Sequence, residues 1–335
     1  FSRASAQAKA AENGRRDASW DFGTNPCSEI ILRPNQFCNL TEVVVRSTDS
    51  VASLTRKIQI ATLLGTIQST FTDFGYLRKR WQNNTEEERL LGVSLTGIMD
   101  SPLMNGKEGV LEKTLKNLRS VAVKANKYWA EKFGINQSTA ITCVKPSGTV
   151  SQLVDSASGI HARHNPYYIR TVRGDNKDPL TEFMIASGIP NEPDVMKPEH
   201  TTVFSFPMKA PKGSVCRNDM TAIEQLELWK TYAQHWCEHK PSVTISVKEE
   251  EWVPVGAWCW ENFSHLSGVS FLPFSDHTYQ QAPYQDIDKA TYEKLVKKMP
   301  TSIDWQKLQD YEKEDSTKGS QELACTAGVC ELVDI

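Results

Sequence analysis

Cysteine is scarce: 8 residues among 335, far too few for a fold stapled by disulfides. No apolar run reaches the length of a membrane span, and the opening, FSRASAQAKAAENGRR, lacks the apolar stretch of a signal peptide. A surplus of one charge is missing too. Lys and Arg number 38 against 41 Asp and Glu, net −3, which leaves no electrostatic footprint for coating nucleic acid or an anionic membrane. Neither is therefore an expected partner, and a reducing, cytoplasmic location follows by default. An initiator methionine is absent, and the chain opens on what reads as an amphipathic helix already under way, so the expectation is a piece of a longer protein. What is present is 39% apolar residues, enough for a sizeable core.

Periodicity organises that core. Runs rich in β-branched residues predict strands at 41–46, 138–144, 167–173, 201–206, 242–247 and 268–274. Helical spacing covers 53–81, 108–135, 178–187, 220–239 and 288–299, and NNTEEERLLGVSLTGIMD starts like a capped helix before turning apolar. Strand and helix mostly alternate. That order predicts an α/β fold with largely parallel strands, because parallel neighbours need crossover connections. The main domain is expected over 1–300. The charged remainder, 301–335, reads as a mobile arm that carries CTAGVC near its end.

Three short stretches bear chemistry. In NPCSE, Asn25, Cys27 and Glu29 stand at every second position, so an extended segment would present amide, thiol and carboxylate on one face. The competing reading makes Cys27 a small buried hydrophobe, Glu29 a surface charge and Asn25 a turn former. Cys325 and Cys330 are close enough in sequence to close a disulfide across a small turn; idle thiols, or a zinc set with Cys27 and Cys38, are the alternatives, although zinc sites usually draw two close ligand pairs. KPSGTVSQL follows a predicted strand and opens a helix, where backbone N–H groups and hydroxyls suit an anion. It is not a Walker loop, since Gly-x-x-x-x-Gly-Lys is absent. A plain capped helix start is the bland reading.

Together, NPCSEI, Cys38 eleven residues beyond Cys27, KPSGTVSQL, SGIHARHNPYYIRTVR, FLPFSDHTYQQAPY and the terminal Cys-x4-Cys resemble the catalytic subunit of ribonucleotide reductases, in family order. The wording is most similar to the monomeric class II enzymes and their phage relatives. The resemblance implies the C-terminal part of a ten-stranded α/β barrel with the radical cysteine on a central finger loop. It implies Cys27 as the thiyl radical, Glu29 as general base, and Asn25 as the holder of the substrate hydroxyls. Cys38 would be one of two reducing thiols, and Cys325 with Cys330 would re-reduce it and be recharged by thioredoxin or a similar reductant. Pro146, Ser147, Gly148, Thr149 and Ser151 would cradle the phosphates of a ribonucleotide substrate.

The pattern departs from the family in the partner of Cys38, in the absent effector-binding segment and half of the barrel, and in lacking a Tyr-Tyr pair near its end. The usual partner of Cys38 lies upstream, and none of Cys143, Cys216, Cys237 and Cys259 matches it, so an N-terminal half of the same enzyme is an expected partner. The expected cofactor is adenosylcobalamin. The alternative is a radical delivered by a metal-containing partner subunit, for which Tyr279 and Tyr284 are the candidate relay. Two readings of another kind are a thiol-disulfide oxidoreductase using Cys325 and Cys330, and a zinc-stabilised binding module.

Overall fold

Apolar segments alternate with amphipathic helices along most of the chain, and the elements follow that alternation. The structure, a computed structural model, describes residues 3–274, 279–312, 323–326 and 329–332. Its longer helices are α1 (Arg3–Ala11), α2 (Val51–Gln68), α3 (Lys79–Glu88), α4 (Leu111–Phe133), α5 (Gly148–Leu153), α6 (Pro179–Ala186), α7 (Ala222–His235), α8 (Trp252–Glu261) and α9 (Lys289–Val296). Strands are β1 (Gly23–Thr24), β2 (Ile31–Leu32), β3 (Asn39–Val44), β4 (Leu91–Thr96), β5 (Tyr167–Asp175), β6 (Asn191–Pro193) and β7 (Thr201–Lys209). After them come β8 (Val243–Val247), β9 (Val269–Pro273), β10 (Tyr284–Asp286), β11 (Leu323–Thr326) and β12 (Val329–Leu332). The chain divides into a first unit, residues up to 163 with 210–274, and a second, 164–209 with the residues from 279 on.

The first unit is built on parallel strands. β3 pairs with β4 from Asn39↔Leu91 to Val44↔Thr96, and β8 pairs with β9 from Val243↔Val269 to Val247↔Pro273. Between them runs the segment 140–144, bridged in parallel to β4 at Val93↔Thr142 and to the start of β8 at Val144↔Pro241. Five parallel segments therefore lie side by side in sequence order. They form an open array, and closure into a barrel is not seen among the described residues.

Side-chain alternation gives this array two different faces. Val43, Val45, Val93 and Leu95 are buried in the main core with Leu54 and Ile58 of α2, Leu115 and Leu118 of α4, and Trp229 and Tyr232 of α7. Burying each such side chain stabilises by roughly 1.5–3 kcal/mol. The aromatic tips are satisfied: Trp229 Nε1 donates to Pro241 O at 3.0 Å and Trp236 Nε1 to Cys143 O at 2.8 Å. The opposite face carries Glu42, Ser94, Cys143 and Lys145. Gly92 lies on it, where a Cβ would stand 2.4 Å from Leu40 Cδ2 and 3.4 Å from Cys143 Sγ.

The second unit departs from the parallel expectation. Its sheet has the order β10-β5-β7-β6 and is antiparallel throughout, with Tyr167↔Lys209 running to Asp175↔Thr201. Phe183, Met184, Ile189 and Phe204 form its core, and Trp305 and Tyr311 pack on Phe183 at 5.4 and 5.6 Å between ring centroids. Near the end of the chain β11 and β12 pair antiparallel, and Cys325 stands directly opposite Cys330. Among the described residues no helix is long and apolar enough to cross a membrane.

Candidate active site

NPCSE is a turn, not an extended segment. β1 and β2 pair antiparallel, and the chain between them closes through Ser28 N–H to Asn25 O at 2.9 Å and Asn25 N–H to Ile30 O at 3.3 Å. Pro26 favours such a reversal, and Ser28 takes φ +62°, a conformation that a polar turn residue tolerates. The one-face arrangement expected from alternation is replaced by a fold-back. Asn25 Nδ2 donates to Glu29 Oε1 at 2.7 Å, and Asn25 Oδ1 accepts Ile30 N–H at 3.0 Å. Cys27 is exposed at the tip, while Glu29 is fully buried.

A residue that sequence reasoning missed completes this arrangement. Lys145 Nζ lies 2.5 Å from Glu29 Oε1. Its side chain is 26% exposed and that of Glu29 is 0%. Burial lowers the Lys145 pKa, but the hydrogen bond and charge of Glu29, aided by Cys143 and Cys27, outweigh it and leave the ammonium raised. Glu29 Oε2 is buried with no hydrogen-bond partner among the described residues. The only hint in the sequence was that Lys145 opens KPSGTV.

Lys145 is fixed from behind. Its N–H donates to Ser94 Oγ at 2.9 Å; Ser94 Oγ bonds Glu42 Oε1 at 3.1 Å, and Ser147 Oγ donates to the same carboxylate oxygen. Burial raises the Glu42 pKa, against the pull of Ser147, Ser94 and Lys145. The KPSGTVSQL stretch is a strand-to-turn-to-helix connection, as expected. Ser147, at φ +56°, precedes α5 without a side-chain cap, Gly148 and Thr149 are exposed, and Ser151 is buried with its Oγ on Gly148 O at 3.1 Å. Ser158 Oγ holds Pro146 O at 2.6 Å. Beneath the turn, Gly159 has φ +54°, and a Cβ there would come 2.3 Å from Lys145 O.

Cys38 is partly buried just before β3. Burial pushes its thiol up to about 12, with Arg16 and Lys145 pulling down and Glu29 pushing up, so it shares the electrostatic surroundings of the turn. Cys27, Glu29, Asn25, Cys38 and the 145–151 turn are thus all in the first unit. Cys325, Cys330, Tyr279 and Tyr284 belong to the second. Tyr279 is exposed, whereas Tyr284 stacks on His164 at 5.1 Å with the Arg170 guanidinium over its ring at 4.4 Å. A cavity of about 920 Å³ at the start of α4, lined by Leu111, Met220, Ile223 and Leu228 among others, holds none of the predicted residues.

No family model matches the chain. It is 27% identical over 310 residues to an adenosylcobalamin-dependent ribonucleoside-triphosphate reductase of Lactobacillus delbrueckii subsp. bulgaricus, covering 84% of this chain and 42% of that one. Identity to the enzyme of the same description from Levilactobacillus brevis is 29% over 314 residues, with coverages of 84% and 41%. A probable adenosylcobalamin-dependent ribonucleoside-triphosphate reductase of Dictyostelium discoideum matches at 28% over 322 residues, covering 93% and 40%. Among solved structures, a B12-dependent (class II) ribonucleotide reductase superposes with a TM-score of 0.75 at 25% identity, over 88% of this chain and 44% of that one.

A parallel α/β array with a cysteine-bearing turn against a buried carboxylate, together with these matches, makes the chain a homologue of the ribonucleotide reductases. Within that class the relatives are the adenosylcobalamin-dependent, class II enzymes. The chain spans less than half the length of the relatives it matches.

Proposed function

We propose that this chain carries the reacting groups of a class II ribonucleotide reductase, reduces ribonucleotides for DNA synthesis in the cytoplasm, and works with an N-terminal half of the same enzyme. The observation that carries the reading is the contact between the two motifs: Glu29, two residues from Cys27, is paired with Lys145, two residues from Ser147. Cys27, as a thiyl radical, takes the 3′-hydrogen atom of the ribose, and Asn25 orients the hydroxyls. Glu29 Oε2, buried and unpartnered, accepts the 3′-hydroxyl proton. The 2′-hydroxyl leaves as water, and the two electrons and hydrogens come from a dithiol that becomes a disulfide. Cys38 is one of those thiols; the N-terminal half supplies the other. The hydrogen atom then returns from Cys27 to the 3′-carbon.

Pro146, Ser147, Gly148, Thr149 and Ser151 form the phosphate seat, with Gly148 and Thr149 exposed. Cys325 and Cys330 reduce the Cys38 disulfide by thiolate exchange and are recharged by thioredoxin or a similar reductant. Facing positions on an antiparallel pair have α-carbons roughly 4.5–5.5 Å apart, inside the span a disulfide needs. The exposed Cys27 thiol fits a radical source that approaches from solvent. Adenosylcobalamin, when bound, supplies a one-electron hydrogen-abstracting radical by homolysis; this chain's residues hold the substrate and move its protons.

The test is reduction of ribonucleoside triphosphates by the chain combined with its N-terminal half. Turnover is expected only with adenosylcobalamin, and the Cys27→Ser variant is expected to be inactive. Cofactor-independent turnover, or an active Cys27→Ser variant, would refute the reading.

A further inference from the structure

The two oxygens of Glu29 have different surroundings. Oε1 is held twice, by Asn25 Nδ2 at 2.7 Å and by Lys145 Nζ at 2.5 Å, while Oε2 is buried and has no partner among the described residues. A carboxylate held through one oxygen cannot rotate freely, so the second oxygen keeps one direction and all its acceptor capacity. The ammonium responsible comes from the turn that follows the 140–144 segment. Its backbone is fixed in turn by Ser94, and Ser94 and Ser147 share Glu42.

The charges around Lys145 point the same way. Glu29, Glu42, Cys27, Cys38 and Cys143 each interact electrostatically with it, and Arg16 is a further cation acting on Cys38. Two carboxylates beside a seat for phosphates would repel the substrate without a cation between them. Lys145 meets both needs from one position.

Resting on the functional reading above, we propose that Lys145 is the positioning residue of the base: it holds Glu29 through Oε1, leaves Oε2 for the substrate hydroxyl, and ties that geometry to the phosphate-binding turn. Because the lysine and the turn are continuous backbone, a substrate that seats its phosphates on 146–151 also fixes the carboxylate that takes its proton. Lys145 touches neither the reacting carbon nor the radical sulfur, so it acts through Glu29.

Two measurements test this. In the chain itself, alkylation of Cys27 by iodoacetamide at pH 8, followed by mass spectrometry, reports the local charge. Lys145→Met should slow it by about 3-fold, Glu29→Gln should accelerate it, and Lys145→Arg should stay near the native rate, since the Lys145 charge acts on Cys27 and such interactions are worth on the order of 1 kcal/mol. If Lys145→Met folds poorly, the double variant Glu29→Gln/Lys145→Met removes the stranded carboxylate. Its alkylation should be slower than that of Glu29→Gln alone, and equal rates would overturn the proposal.

In the reductase assembled with its N-terminal half, Lys145→Met should lower kcat by about 10-fold or more with KM changed less, and Lys145→Arg should restore most of it. An unchanged kcat in Lys145→Met, with Glu29→Gln inactive, would overturn the role of Lys145 alone. An active Glu29→Gln would instead overturn the reading of Glu29 as base.

Discussion

Glu29 shows what a single residue gains from distant parts of the chain. Its partner Lys145 is 116 positions away, and the Ser147–Glu42 contact spans 105. A second buried pair supports the same region: Arg16 meets Glu88 through Nε–Oε1 and Nη2–Oε2, both 3.0 Å, with side chains 1% and 4% exposed, and Arg16 Nη1 also holds Ile31 O at 2.9 Å. Removing one partner strands a buried charge. Arg16→Met is therefore expected to cost about 3–5 kcal/mol in urea unfolding, and the Arg16→Met/Glu88→Gln double variant clearly less than the sum of the two single changes. Additive losses would show that the pair is not coupled. Residues of this kind were not legible in the sequence, because nothing local marks which acid will meet which base. Cys27, Glu29 and the KPSGTVSQL turn stood out as candidates, since each motif packs several unusual residue types into a few positions.

Among the elements, legibility followed burial. The long helix predicted over 108–135 is α4, closed by Gly134 at φ +66° with its N–H on Ala130 O and Glu131 O, a local signal that tertiary packing does not override. β4 was read as the continuation of a capped helix because all six of its residues are buried, and a strand covered on both faces loses its alternation. The stretch read as helical over 53–81 is broken between Gln68 and Lys79, where Ser69 caps α2.

The NPCSE turn depends on an element far from it. His239, fully buried, donates from Nε2 to Leu91 O at 2.9 Å and accepts Ile31 N–H at Nδ1 at 3.4 Å, which pins β2 to β4. Burial, with Arg16 and Lys9 nearby, depresses its pKa to about 3, against a smaller raising effect of Leu91 O. The unfolded chain binds this proton below about 6.5 and the folded chain does not, so stability is lost as pH falls from 6.5 towards 3. Between pH 7 and pH 5 that amounts to about 2 kcal/mol. His161 and His235, both lowered by burial, act in the same direction and Glu42, raised, in the opposite one, so the native protein is compared with His239→Phe. The variant should be less stable at pH 7 and lose less between pH 7 and pH 5. Equal losses in urea titrations would show that His239 does not carry the acid sensitivity.

On the scale of the molecule, the first unit combines an open parallel array with thiols spread through its interior. Cys143 and Cys237 are fully buried, Cys216 is 4% exposed, and Cys38 sits at the foot of β3. Burial raises all four: Cys38 and Cys237 to about 12, Cys216 to about 11, and Cys143 well above its ordinary value. An unfolded thiol ionises near pH 9, whereas these stay protonated in the fold, so the folded chain binds more protons between about pH 9 and 12. Their contribution is complete below pH 9 and is lost as pH rises through that window, by on the order of 1 kcal/mol per thiol at pH 10. Lys240 opposes them. Burial depresses its pKa to about 8, so its contribution grows as pH rises from about 8 to 10.5, but it stands against the four thiols and against Cys259 and Tyr232, which burial also raises. Urea unfolding of the reduced protein, followed by the fluorescence of the buried Trp229 and Trp236, should therefore show a lower midpoint at pH 10 than at pH 8.5. Cys237→Ala should shrink that difference, since it removes one of the ionisations that produce it. A midpoint that holds or rises at pH 10 would mean that the thiols ionise inside the fold, and the interior around Cys38 would then be wetter than its packing implies.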